Sequence, residues 1–162
     1  MLFKKLFRSR VIKRIFIERF AEPIHLNIVS FFVYLFGNYK VKIFFDLILR
    51  QHNAYSILKC AEDAKKMNLS TVTLIEFGVA SGSGLINMAR IANKVSKITN
   101  IKFKIFGFDT GVGLPVPKSL KDYPNAFQEG DYPIDIQRLK QILPDNVELV
   151  LGDVKETVLP FI

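Results

Sequence analysis

The chain changes texture near residue 70. Before it, apolar residues recur at helical spacing. Leu2, Phe3, Leu6, Phe7, Val11, Ile15 and Phe16 can share one broad helix face, with Lys and Arg on the other. Residues 24–36 (IHLNIVSFFVYLF) are almost wholly apolar, and residues 41–49 (VKIFFDLIL) read as a further apolar helix. Asn53 suits the N-cap of a helix over 54–69, with Ile57, Leu58, Ala61 and Ala64 on its inward face. After Ser70 strands enter. Residues 71–79 (TVTLIEFGV) form a β-branched apolar run that ends in glycine, a buried-strand pattern. A helix is predicted over 83–98, a second strand over 103–108, and a loop with two prolines over 110–118. A helix follows over 134–143, with Pro133 at its start, and then a third strand over 147–151. Strand, helix, strand, helix, strand implies right-handed crossovers. The expected fold is α/β, a Rossmann-like parallel sheet preceded by N-terminal helices. It divides into a helical extension over 1–50 and a sheet-containing domain over 51–162.

Composition fits one globular domain: 162 residues, 49% apolar and 23% charged. The net charge of +8 is local. Seven Lys and Arg stand against one Glu in the first twenty residues, whereas the rest holds sixteen basic and fourteen acidic side chains. A broad phosphate-binding face is therefore unexpected, and no nucleic-acid partner is expected. The basic leader has the composition of an interfacial helix lying on anionic lipid. It equally suits an amphipathic helix packed on its own domain or on a second subunit. A signal peptide fits poorly, since charges interrupt the apolar run. Residues 24–36 are too short for a span, which needs about 20 residues. A single cysteine, Cys60, excludes a disulfide framework or a cysteine-ligated zinc site within one chain, and no metal site is expected. Cys60 reads as a small buried hydrophobe rather than a catalytic thiol. These features place the protein in the cytoplasm, with a peripheral position at the inner membrane surface as the alternative.

The chemistry concentrates in Glu76-Phe77-Gly78-Val79-Ala80-Ser81-Gly82-Ser83-Gly84, which leaves a strand and opens a helix. Gly78, Gly82 and Gly84 let the backbone turn sharply and let a ligand approach the main chain. The helix end offers free N–H groups. The spacing G-x-x-x-G-x-G departs from the dinucleotide fingerprint, and no Gly-Lys-Ser/Thr phosphate loop is present. Glu76 would repel a pyrophosphate but suits a ligand carrying an ammonium and a sulfonium, as S-adenosylmethionine does. Asp109 ends the second strand, where a carboxylate can accept from both ribose hydroxyls. Gly152 and Asp153 follow the third strand. Ligands of parallel sheets bind at this carboxyl edge, and all three strands end there in an acid or a glycine-acid pair. Simpler roles remain open: Glu76 as an ion-pair partner, Asp109 as a turn acceptor with Thr110, and Asp153 as the N-cap of a short helix from Val154. His25 and His52 read as structural residues rather than bases.

EFGVASGSG, FGFDTGVGLP and LVLGDVKETVLP are similar to class I S-adenosylmethionine-dependent methyltransferases, and most of all to the macrocin O-methyltransferase-like group. The resemblance covers roughly residues 50–162 and leaves 1–40 outside it. It implies a methionine-side loop of Glu76, Gly78, Ala80, Ser81, Gly82 and Gly84. It implies a ribose contact at Asp109 with Thr110, and an adenine contact at Gly152 and Asp153. Members of the group often carry an acid inside the loop before Gly-Leu-Pro, where this chain has Val112. The family's sheet also continues beyond a third strand. The resemblance therefore implies a fragment that lacks the acceptor-choosing part, and an isolated chain that folds poorly or leans on a partner. The expected activity is methyl transfer to an oxygen or nitrogen of a small-molecule acceptor, with no catalytic residue assigned. The alternative is a catalytically inactive, methyltransferase-derived scaffold or membrane-surface protein.

Overall fold

The computed structural model describes residues 23–161. Among them run α1 (Ile24–Phe36), α2 (Tyr39–Phe44), α3 (Gln51–Lys66), β1 (Thr71–Phe77), α4 (Ser83–Thr99) and β2 (Lys102–Asp109). After a long loop come α5 (Ile136–Ile142), β3 (Val147–Leu151) and α6 (Val154–Phe161). The three strands form one sheet in the order β1-β2-β3, and both pairings are parallel. The chain is α/β with a Rossmann-like parallel sheet and N-terminal helices ahead of it. The basic leader over 1–20 lies outside the described residues.

Register assigns the two faces. Leu74 pairs with Ile105, Ile105 with Val147, and Glu76 with Gly107, so these side chains share a face. That face meets α3 and α4 through Ile57, Leu58, Ala61, Leu85, Ala92 and Val95, all buried. Phe106 and Phe108 point the other way. Phe161 of α6 stacks edge-on against them, with ring centroids 4.6 and 5.1 Å away. Phe161 is half-buried and so gains only part of the about 1.5–3 kcal/mol that full burial of such a side chain contributes. The ring contacts of α6 fall on the middle strand. Ile75 and Phe77 of β1, on the same face, stay 40% and 57% exposed. The expectation of a buried strand over 71–79 is therefore corrected: β1 alternates half-buried and exposed positions and stops at Phe77.

Three helix expectations also shift. The helix predicted over 41–49 is a single turn and a half, because Asp46, just past its C-cap Phe45, adopts left-handed backbone (φ 52°) and the helix does not continue. The following helix starts at Gln51, with Arg50 as N-cap and no side-chain cap, so Asn53 lies inside it. Cys60 is exposed. The inward face of α3 runs through Ala54, Ile57, Leu58, Ala61 and Ala64, and at 100° per residue Cys60 falls beside it. The short helix after Pro133 begins at Ile136, where Asp135 accepts a hydrogen bond from the Arg138 amide. Among the described residues no helix is long and apolar enough to cross a membrane.

Candidate functional site

The carboxyl ends of the three strands meet around one residue, Asp109. Asp109 Oδ2 accepts hydrogen bonds from the backbone amides of Val79 (2.8 Å) and Ala80 (3.0 Å), which lie in the turn after β1. Its Oδ1 accepts from the Gly111 amide at 2.8 Å. Its carbonyl accepts from the Gly152 amide at 3.0 Å, which ties in the end of β3. One residue thus fastens the glycine bend, the loop after β2 and the turn after β3. A carboxylate offers about four lone-pair directions. In Asp109 three of them go to backbone amides that shape the site, so the acid expected to hold a ribose is also a clamp.

The glycine bend itself is strained. Ala80 sits at φ 46°, a left-handed conformation that an L side chain adopts at a cost of about 1–2 kcal/mol. Gly82 closes the bend as the N-cap of α4, and no side chain caps that end. The first-turn amides of α4 therefore carry the partial positive charge of an open helix terminus. Ser81 is exposed on the bend. No heavy atom outside its neighbours lies within 4 Å of where a Cβ on Gly78 would stand, so that side of the bend is open. The opposite side is filled: a Cβ on Gly82 would strike Leu139 of α5.

Glu76 is in a different state. Its side chain lies on the α3–α4 face of the sheet, over Gly84. A Cβ at Gly84 would collide with Glu76 Oε1 and stand 3.2 Å from the Arg50 guanidinium. Glycine at 84 is therefore what lets the carboxylate fit against the first turn of α4. Glu76 Oε2 is buried and has no hydrogen-bond partner. Burial pushes its carboxyl above the usual carboxylate range, and the charge of Arg50 offsets part of that rise.

Thr110 donates to the carbonyl of Gly113 and so folds the start of the long loop. The loop's two legs cross at Gly113, where a Cβ would stand 2.5 Å from the Gly130 carbonyl oxygen. The Leu114 amide donates to the Asp131 carbonyl at 2.8 Å, and the Gly130 amide donates to the Leu114 carbonyl at 2.9 Å across that crossing. The loop borders an open cleft of about 450 Å³, lined among others by Leu114, Phe127, Tyr132, Asp153 and Lys155. Asp153 Oδ1 accepts from the Lys155 amide at 2.9 Å, which caps α6.

The expected site residues therefore form two groups. Gly78, Ala80, Ser81, Gly82, Asp109, Thr110 and Gly152 gather at one end of the sheet, with Glu76 and Gly84 directly behind the bend. Asp153 reaches the cleft beside the long loop, whose lining includes neither Glu76 nor Asp109. Arg50 and Leu139 were not singled out by sequence. Arg50 gives no local signal, because its closeness to Glu76 depends on how α3 packs. Leu139 was visible only as one apolar position of a short helix. No protein-family model and no curated protein matches this chain.

Proposed function

We propose that this chain holds S-adenosylmethionine at the glycine bend and belongs to a methyltransferase acting on an oxygen or nitrogen of a small molecule. The observation that carries the reading is Glu76: a half-buried carboxylate with an unpartnered oxygen, set behind a strained glycine bend and beside an uncapped helix end. An acid held above its usual range gains from a cationic ligand, because the ligand's charge returns the interaction that burial removed. A phosphate ester would make the same acid costlier. Glu76 would face the ammonium end, and the open side of Gly78 would admit the ligand to the backbone. Gly152 and Asp153 would lie toward the adenine, where Leu114, Phe127 and Tyr132 offer apolar and aromatic surface. When bound, the cofactor supplies an electrophilic methyl group. The chain's own contribution is to orient it and keep water from it.

One observation favours the second reading, a binding protein without turnover. The Asp109 carboxylate is already engaged by three backbone amides, which suits a purely structural role. Calorimetric titration tests the enzyme reading. Saturable heat with S-adenosylmethionine is expected. No binding at millimolar cofactor removes the enzyme reading.

A further inference from the structure

α1 has its polarity reversed. A helix in water turns its apolar stripe to the protein and its polar stripe outward. In α1 the polar positions are the covered ones: Ser30 is 1% exposed, and Asn27 and Tyr34 are partly covered. The apolar positions are open: Ile24, Ile28, Val29, Phe31, Phe32 and Phe36 are all exposed, Phe32 by 55% and Phe36 by 80%. At 100° per residue the apolar side chains from Phe31 round to Leu26 span an arc of roughly 220°, interrupted only by His25. Asn27, Ser30 and Tyr34 occupy the rest.

Two facts say what covers this surface. The first is the width of the arc. A partner's groove engages one stripe of a helix, at i, i+3, i+4 and i+7. A hydrocarbon layer engages every side chain that reaches it. The second is charge. Residues 1–45 hold nine Lys and Arg against Glu18 and Glu22, while the remaining chain holds fourteen basic and thirteen acidic residues. Nearly all of the protein's excess positive charge is therefore attached to the segment with the open apolar helix. An anionic bilayer offers both complements at once, acyl chains for the side chains and phosphates for the bases. A helix of 13 residues is about 20 Å long, short of the roughly 30 Å hydrocarbon core. We infer that α1 beds into one leaflet of an anionic membrane, with the basic residues that precede it in sequence at headgroup level.

The chain has no tryptophan, so Phe32→Trp creates a single fluorescent reporter on the exposed arc. With the full chain and vesicles of phosphatidylcholine plus phosphatidylglycerol, the emission should shift to the blue. Acyl-brominated lipid should quench it, while vesicles of phosphatidylcholine alone should do neither. Phe31→Glu should lower sedimentation with the anionic vesicles by about tenfold or more. Arg8→Gln and Arg10→Gln should each lower it by about fivefold. Far-ultraviolet circular dichroism checks that the variants fold, and the lipid-composition series on the unaltered chain needs no variant. Three results would overturn the inference: no quenching in any vesicle, equal binding to neutral and anionic vesicles, or an emission shift without lipid. A lipid-free shift that grows with protein concentration would assign the face to a second copy of the chain. One independent of concentration would assign it to residues 1–22.

Discussion

Glu76 and Asp109 lie near the carboxyl ends of neighbouring strands of one sheet, yet they are treated in opposite ways. Asp109 accepts from three backbone amides and holds the local fold together. Glu76 keeps one oxygen unpartnered in a half-buried position, and burial drives its carboxyl upward. A saturated acid stabilises the protein that contains it. An unsaturated one costs stability until something binds. The difference separates the residue that builds the site from the residue that awaits a ligand, although both look alike as acids at strand ends.

The comparison is most easily broken at Asp109. Asp109→Ala leaves the amides of Val79, Ala80 and Gly111 without their acceptor and should cost about 2–4 kcal/mol in urea unfolding. Asp109→Asn keeps an acceptor and should cost less. If both variants unfold like the parent, the clamp role is wrong. Gly84→Ala comes next. The new methyl group displaces the Glu76 carboxylate or the first turn of α4, and about 1–3 kcal/mol of destabilisation is expected. A variant as stable as the parent would mean that Glu76 does not rest on Gly84. The smallest effect belongs to Glu76→Gln in the free protein, and its sign is the opposite. The folded carboxyl titrates above its unfolded value, so the fold favours the protonated form. That contribution is fully present below the ordinary carboxylate range and is lost as pH rises through the raised value. Glu76→Gln should therefore match the parent in acid and become slightly more stable toward neutral pH. A parent that gains relative to the variant as pH rises would reverse the assignment.

Much of this architecture was legible in the residues. The run 147–151 and the helix from Ser83 stood out because their apolar spacing is unambiguous and glycine marks the bend between β1 and α4. The stop of α2 was not legible. It depends on left-handed backbone at Asp46, which is not a glycine. The exposure of Ile75 and Phe77 was hidden as well, since a β-branched run reads as buried whether or not a second layer covers both faces. At the site, sequence located the acids and glycines but not their bonding states. Whether a carboxylate is saturated depends on amides some thirty residues away, as with Asp109 and Val79. The placement of Arg50 beside Glu76 and of Leu139 over Gly82 arises from packing between elements. The same limit applies to α1: its 13 residues were readable as an apolar helix, but not that its polar stripe is the covered one.

The central claim is that this bend, with its acid behind it, suits a cation-bearing adenosyl ligand rather than a phosphate ester. Parallel calorimetric titrations of the parent and Glu76→Gln with S-adenosylmethionine and with ATP test it most directly. The parent should bind S-adenosylmethionine and not ATP, and Glu76→Gln should weaken the first by on the order of tenfold or more. ATP binding to the parent that strengthens in Glu76→Gln would contradict the claim.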